Sequence, residues 1–164
     1  HGLRVVGVDI SEVAVRHARA RQPGLRAVLA DLTEFPLPAN TFDVIVAFYY
    51  LQRSLWPPMA QALRPGGVLI CETLTQAVRQ VRPEMPAPFL LAPGELRQAF
   101  PTLRLCVYRE AWIETGCKEP RAVASLVAVK PPVSRDDCDV DPPDSFEGEF
   151  QGGVLVHQAA PLIR

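Results

Sequence analysis

The stretch that decides the fold is Val5-Val6-Gly7-Val8-Asp9-Ile10-Ser11. Its β-branched residues predict a short buried strand over residues 4–8, and Asp9 stands where that strand ends. Ser11 is a favoured helix N-cap, so the pattern predicts a helix that runs to about Arg21. A strand that ends in an acid and passes directly into a helix is typical of an α/β sheet.

The same alternation continues along the chain. A helix is predicted over residues 57–63, because Pro57 and Pro58 suit a first helical turn. The further strands are predicted over residues 27–30, 44–48, 68–74, 103–112 and 122–130. The last two are separated by a turn at Gly116 and are expected to form an antiparallel hairpin. The predicted class is therefore α/β, with a doubly wound, mostly parallel sheet and a C-terminal antiparallel hairpin.

Charge divides the chain into two parts. Residues 1–130 have 15 basic and 11 acidic groups, a net charge of +4, and are predicted to be the folded domain. Residues 131–164 have 2 basic and 7 acidic groups, a net charge of −5, and are expected to be a disordered, proline-rich tail. The domain has no run of Lys or Arg, which argues against nucleic acid as a partner.

Hydropathy and cysteine spacing bear on the location of the protein. The longest apolar run, residues 44–51, is far shorter than a membrane span, so no membrane partner is expected. The four cysteines are widely spaced and form no C-x-x-C pair. They are interpreted as reduced thiols in a cytoplasmic protein rather than a disulfide framework or a zinc site. An EF-hand starting at Asp137 is excluded, because its sixth and twelfth positions hold Pro142 and Gly148.

Two acids follow neighbouring predicted strands. Asp9 ends the first strand, where a carboxylate can accept hydrogen bonds from ribose hydroxyls. Asp31 ends the second; its carboxylate could accept from an adenine amino group while the amide of Leu32 donates to a ring nitrogen. Singly, either acid could be a helix cap or turn residue. Together, at the carboxyl edge of a parallel sheet, they favour adenosine recognition.

Over residues 1–130 the chain resembles the class I S-adenosylmethionine-dependent methyltransferases. The matching stretches are Val5 to Ser11, Ala30-Asp31-Leu32, Phe42-Asp43-Val44-Ile45-Val46 and Leu63-Arg64-Pro65-Gly66-Gly67. Their order and spacing, followed by the hairpin, are more specific than any one of them. Within that superfamily, the short chain and Pro93-Gly94-Glu95-Leu96 look like the small tellurite-resistance-type methyltransferases.

The resemblance implies S-adenosylmethionine as cofactor, a small molecule as methyl acceptor, and a role for each matching residue. The cofactor-binding residues would be Asp9, Ile10, Asp31, Leu32, Ala47 and Phe48, with Ile10 on the adenine face and the last two at the sulfonium. Tyr49, Tyr50 and Arg53 would lie nearer the acceptor. No general base and no metal ligand is assigned. Asp43 and the Gly66-Gly67 pair are interpreted as structural.

One departure from the family is the missing glycine-rich loop, which follows the family's central first strand. That strand would precede His1, so the domain is expected to be N-terminally incomplete. Its loss would leave the strands at residues 4–8 and 44–48 with unpaired central edges. The short apolar run Val154 to His157 is the only local segment that could fill the gap.

Two other functions remain open at this stage. A truncated, non-catalytic methyltransferase-like domain would explain the missing loop. A nicotinamide-dependent oxidoreductase would also place an acid after the second strand, although Asp31-Leu32 and the terminal hairpin disfavour it. The acceptor and the oligomeric state are left open.

Overall fold

The structure is a computed structural model that describes residues 4–115, 118–132 and 153–158. Its described strands are β1 (Arg4–Asp9), β2 (Arg26–Leu29), β3 (Phe42–Phe48), β4 (Leu63–Leu74), β5 (Arg104–Thr115), β6 (Lys118–Val129) and β7 (Gly153–Gln158). The α-helices are α1 (Glu12–Arg21), α2 (Trp56–Ala62) and α3 (Glu95–Gln98). Short 3₁₀ segments cover Arg53–Leu55, Gln76–Gln80 and Ala87–Phe89. None of the described helices has the length and apolar character needed to cross a membrane.

The strands form one mixed sheet in the order β2-β1-β7-β3-β4-β6-β5. The first five strands in this order pair in parallel, and β6 pairs antiparallel with both β4 and β5. The predicted α/β sheet with a closing antiparallel hairpin is therefore confirmed. The predicted turn at Gly116 lies outside the described residues.

Strand β7 occupies the position between β1 and β3 that was expected to be empty. Its residues 153–156 pair with residues 4–7 of β1 on one side, and residues 153–158 pair with β3 on the other. The hypothesis that Val154 to His157 fills the gap is thus confirmed. The segment pairs here because the central edges of β1 and β3 would otherwise expose unpaired N–H and C=O groups. Six residues of the segment expected to be a disordered tail form this strand; residues 133–152 and 159–164 lie outside the description.

The core lies on one face of the sheet, against α2 and α3. Side chains alternate along β3, β4 and β6, so every second residue points into it. The buried members on this face are Ile45, Ala47, Leu69, Cys71, Leu126 and Ala128, packed with Met59 of α2 and Leu96 of α3. Alternate residues such as Val46 and Ile70 are only half-buried on the other face.

Helix α1 begins as the sequence predicts. The Ser11 hydroxyl accepts a hydrogen bond from the amide of Ala14 at 3.2 Å and so caps the helix. Near its end, the Arg19 guanidinium donates to the carbonyl of Ala27 at 2.6 Å. These bonds fix both ends of the connection between β1 and β2.

The Gly66-Gly67 pair forms the bend at the start of β4. Gly66 has a φ of +81°, which favours glycine. A Cβ on Gly67 would lie 2.8 Å from the Arg64 carbonyl oxygen, closer than side chains are found. The bend is held to β6 by a bond from the Gly66 amide to the Lys130 carbonyl at 2.9 Å. The geometry agrees with a structural role for both glycines.

We expect Gly67→Ala to lower the free energy of unfolding by about 2 kcal/mol, since the added methyl must displace backbone. Gly24→Ala is the matched control, because nothing lies within 4 Å of a Cβ at that position. Urea denaturation of both variants measures the effect. Equal stability of the two variants would contradict the proposed steric requirement.

We expect a chain truncated after Gly152 to lose cooperative unfolding, because β1 and β3 then lose the strand between them. Four residue pairs on one side and six on the other disappear. At about 1 kcal/mol per hydrogen bond, their loss is comparable with the 5–15 kcal/mol stability of a typical domain. A chain ending at Gln158 keeps β7 and serves as the control. Thermal unfolding followed by circular dichroism distinguishes them; a cooperative transition in the shorter chain would refute the role of β7.

Candidate functional site

The acids Asp9 and Asp31 lie at the same edge of the sheet. Strands β1 and β2 are parallel, and Asp9 pairs with Leu29, two residues before Asp31. The Ala30 amide donates to the Asp9 carbonyl at 3.1 Å, which extends the pairing by one residue. Because the carboxyl ends of parallel strands meet at one edge, the structure places the two acids on neighbouring strand ends.

Asp9 is held by the start of α1. One carboxylate oxygen, Oδ1, accepts from the backbone amide of Ser11 at 2.7 Å. The other oxygen, Oδ2, forms no hydrogen bond with the residues that the structure describes. The side chain of the next residue, Ile10, is 68% exposed. A fixed carboxylate with a free oxygen therefore stands beside an exposed apolar side chain.

Asp31 is fixed in a similar way. Its Oδ1 accepts from the amide and the hydroxyl of Thr33, at 2.8 and 2.7 Å. Both hydrogen bonds lower the pKa of the Asp31 carboxyl, and the bond from the Thr33 amide has the larger effect. The carboxyl is therefore ionised at neutral pH. Leu32 is 6% exposed, and its backbone amide donates no hydrogen bond within the described part of the chain. Both groups that were predicted to contact adenine are therefore available to a ligand.

The carboxyl end of β3 holds the next predicted residues. Ala47 is buried, whereas Phe48 is 38% exposed. Tyr49 has a φ of +54°, which is uncommon for a residue with a side chain. Its amide donates to the Glu72 carbonyl at 2.7 Å, and its hydroxyl donates to the Glu72 carboxylate at 3.3 Å. Neighbouring groups therefore hold this strained conformation in place.

Three further residues surround Tyr49 that the sequence did not indicate. Glu72 also accepts from the Ser125 hydroxyl at 2.7 Å, and the Arg121 guanidinium lies 5.2 Å from the centre of the Tyr49 ring. Glu72 and Ser125 face each other because β4 and β6 pair antiparallel in that register. Only this pairing, across 53 residues of sequence, could have identified them.

Tyr50 links the two ends of the site. Its hydroxyl has a raised pKa, first because of burial and second because of the negative charge of Asp31. The Tyr50 hydroxyl is therefore within electrostatic reach of Asp31, which brings a predicted substrate residue close to a predicted cofactor residue. A raised pKa keeps the hydroxyl protonated at neutral pH, where it donates hydrogen bonds and does not act as a base.

Tyr50 also lies between two clefts. One is lined by Leu32, Leu37 and Leu55, on the side of Asp31. The other is lined by Leu51, Gln52, Trp56, Cys71, Thr73 and Leu96, on the side of α2 and α3. Ala47, Tyr50 and Met59 line both. Burial raises the pKa of the Cys71 thiol to about 12, so it is neutral and not a nucleophile.

Arg53 has protein partners for its guanidinium. It forms an ion pair with Glu95, and it donates to the carbonyls of Pro88 at 3.0 Å and Leu90 at 3.2 Å. Glu95 in turn accepts from the amide of Ala92 at 2.8 Å. Arg53 therefore joins the segment after β3 to α3. The predicted contact with an acceptor would require these bonds to break.

The sequence is similar to those of known methyltransferases. Residues 1–71 match the family described as a methyltransferase domain. A probable S-adenosylmethionine-dependent methyltransferase of Mycolicibacterium smegmatis is 38% identical over 76 residues, which are 43% of this chain and 29% of that protein. The trans-aconitate 2-methyltransferase of Paracidovorax citrulli is 39% identical over 74 residues, 42% of this chain and 28% of that protein. The chain thus spans under a third of the length of these relatives.

Solved structures show the same fold. The N-methyltransferase NodS of Bradyrhizobium japonicum, in complex with S-adenosyl-L-homocysteine, superposes with a TM-score of 0.60 at 20% identity, over 78% of this chain and 67% of that one. The fold is therefore that of the class I S-adenosylmethionine-dependent methyltransferases, and residues 1–71 match the methyltransferase-domain family. The narrower resemblance to the tellurite-resistance type stays a prediction.

The Arg53–Glu95 pair predicts a pH dependence of stability. The hydrogen bond from Arg53 is the main cause that holds the pKa of Glu95 below its usual value of 4.5. A carboxyl with a lowered pKa in the folded state adds stability above its unfolded value, and this is lost as pH falls through the folded pKa. We therefore expect the stability difference between the parent chain and Glu95→Gln to be full above pH 4.5 and to shrink below it.

Urea denaturation at several pH values between 7 and 3 measures this difference. The matched control repeats the substitution in an Arg53→Gln background, where the ion pair is absent and the pH dependence of the difference should be much weaker. The same pH dependence in both backgrounds would show that the Arg53 guanidinium is not its cause.

Proposed function

We propose that this chain binds S-adenosylmethionine and transfers its methyl group to a small-molecule acceptor. The observation that supports this most directly is the pair of carboxylates, Asp9 and Asp31, on adjacent strand ends. Each has one oxygen fixed by a backbone amide and a second oxygen without a partner among the described residues. The sequence relatives and the fold point to the same cofactor.

The residues present fit the nucleoside half of the cofactor. The free oxygen of Asp9 suits the ribose hydroxyls, and that of Asp31 suits an adenine amino group. The unbonded amide of Leu32 would donate to a ring nitrogen, and the exposed side chain of Ile10 would cover the base. Ala47 and Phe48, at the end of β3, would lie towards the sulfur. The residues that follow β7 lie outside the described part of the chain.

When bound, S-adenosylmethionine supplies an electrophilic methyl group on a cationic sulfur. Around it, the chain has to exclude water and align the acceptor in line with the methyl group. The exposed ring of Phe48 would stabilise the nearby positive charge. Tyr50, half-buried between the two clefts, would contact the acceptor. A cytoplasmic location agrees with the free thiols of Cys71 and Cys106.

A second function is favoured by one observation. In this chain β7 takes the central place that the family gives to the strand before its glycine-rich loop. A domain that binds the nucleoside but transfers no methyl group is consistent with that arrangement. Both functions require the same nucleoside site, but only the first includes methyl transfer.

Calorimetric titration with S-adenosylhomocysteine tests the shared site. We expect Asp9→Asn and Asp31→Asn each to weaken binding about 10- to 100-fold, because each removes a charged hydrogen-bond acceptor worth about 1.5–3 kcal/mol. Glu34→Gln is the matched control, since Glu34 is an exposed acid in the loop of Asp31 and none of its side-chain atoms forms a described hydrogen bond. NAD is titrated in parallel.

Tighter binding of NAD than of S-adenosylhomocysteine would sink the proposal in favour of an oxidoreductase. Unchanged affinity in both aspartate variants would show that the nucleoside does not lie at this edge. Binding of S-adenosylhomocysteine without methyl transfer to any acceptor in a small-molecule panel would favour the non-catalytic domain.

A further inference from the structure

Thr73 is a buried polar residue at the edge of the cleft between β4, α2 and α3. It is 6% exposed, and it lines this cleft. Its hydroxyl forms no hydrogen bond with any residue that the structure describes. An unsatisfied buried hydroxyl costs about 1–3 kcal/mol, so such groups are normally paired. A partner that enters the cleft would remove that cost.

The strand pattern explains why Thr73 lies there. Alternate residues of β4 face the core, and Leu69, Cys71 and Thr73 are all buried on that face. Cys71 pairs with Ala47 on β3, but the β3–β4 pairing ends at Phe48 and Glu72, one residue before Thr73. Thr73 is therefore the first core-facing residue of β4 beyond the end of β3, where the cleft begins.

The other walls of the cleft are mainly apolar. Leu51 and Trp56 come from the segment after β3, Met59 from α2 and Leu96 from α3. The cleft is open at its mouth, and its empty space, the solvent-filled mouth included, is about 320 Å³. Its shape and lining suit a small ligand with an apolar body.

No cation is among the described residues that line this cleft. Glu72 is the charged residue of the lining, and its two carboxylate oxygens accept from Tyr49 and Ser125. Arg53 was predicted to lie near the acceptor, but its guanidinium forms an ion pair with Glu95. A buried anion without a cationic partner is costly, so a carboxylate acceptor would be rejected here.

From these observations we infer that Thr73 determines acceptor specificity, and that the acceptor is a small uncharged molecule whose apolar body bears one hydroxyl or carbonyl group. That group bonds to the Thr73 hydroxyl, while the apolar body packs on Trp56, Met59 and Leu96. The inference rests on the proposed function, because it places the acceptor beside the donor site. It also separates this chain from its relative named for trans-aconitate, a carboxylate substrate.

The experiment compares three probes of similar shape: phenol, toluene and benzoate. Each is titrated into the full chain, with and without saturating S-adenosylhomocysteine, by ligand-observed NMR. We expect phenol to bind more tightly than toluene, and benzoate to bind weakest. In Thr73→Val, which keeps the shape but lacks the hydroxyl, the Kd of phenol should rise about 5- to 10-fold, as for the loss of one hydrogen bond, and that of toluene should change less than about twofold.

Thr75→Val is the matched control. Thr75 lies two residues after Thr73, just beyond the end of β4, is 5% exposed and does not line this cleft. It should leave the affinities of all three probes unchanged. An equal effect of both substitutions, an equal effect of Thr73→Val on phenol and toluene, or preferential binding of benzoate would overturn the inference, as would the absence of phenol binding.

The titrations without S-adenosylhomocysteine distinguish a failure of this inference from a failure of the proposed function. If the chain does not bind S-adenosylhomocysteine but phenol still depends on Thr73, the proposed function fails and the polar pocket stands. If S-adenosylhomocysteine binds and phenol shows no dependence on Thr73, the donor site stands and the specificity assignment fails.

Discussion

The pairing of β7 with β1 on one side and β3 on the other is the constraint on which the rest of the sheet depends. Among the described strands, β1 has no direct pairing with β3. The sheet thus consists of two parts, β2-β1 and β3-β4-β6-β5, which β7 connects through backbone hydrogen bonds. Each part provides half of the site: Asp9 and Asp31 lie on the first, and Ala47, Tyr50 and Thr73 lie on or directly after strands of the second.

This division explains why the position of β7 matters for chemistry as well as for stability. In a parallel sheet the register between strands fixes which residues meet at the carboxyl edge. Asp9 lies beyond the last residue of β1 that pairs with β7, while Ala47 and Phe48 pair with the end of β7. A shift of β7 by one residue against either neighbour would move one half-site against the other. Leu32, which follows Asp31, and Tyr50 line the same cleft, so the observed register brings the two halves together.

The sequence predicted those features that depend on neighbouring residues. Apolar runs, the Ser11 cap and the strand-ending acids are local signals, so β1, α1 and the edge with Asp9 and Asp31 could be found without coordinates. The family resemblance placed Arg53 near the acceptor, but its ion pair with Glu95 spans 42 residues and is set by the packing of α3. The central strand β7 could only be suggested, because nothing in a six-residue apolar run specifies which two strands it will separate.

The end of β3 shows how packing prepares a site that local preference alone would not form. A left-handed Tyr49 costs about 1–3 kcal/mol and persists only when its surroundings enforce it. Here Glu72 binds both the amide and the hydroxyl of this residue, and Arg121 stacks on its ring. The left-handed residue Tyr49 directly precedes Tyr50 and Leu51, which line the cleft beside α2 and α3. Strain at one residue therefore helps to form the wall between the nucleoside side and the acceptor side.

Charge distinguishes these two sides. The nucleoside side has two acids, each with an oxygen available to hydroxyl or amino donors, and Thr33 keeps Asp31 ionised. On the acceptor side, the carboxylate oxygens of Glu72 accept from Tyr49 and Ser125, and Arg53 is paired with Glu95, so an entering molecule meets mainly apolar walls and no cation among the described lining residues. Transfer from a cationic sulfur to a neutral acceptor spreads one positive charge over both molecules and requires no counter-charge on the acceptor side. A cleft whose described lining holds no cation is suited to that charge distribution, and it disfavours an anion that would have to shed its water without a cation to replace it.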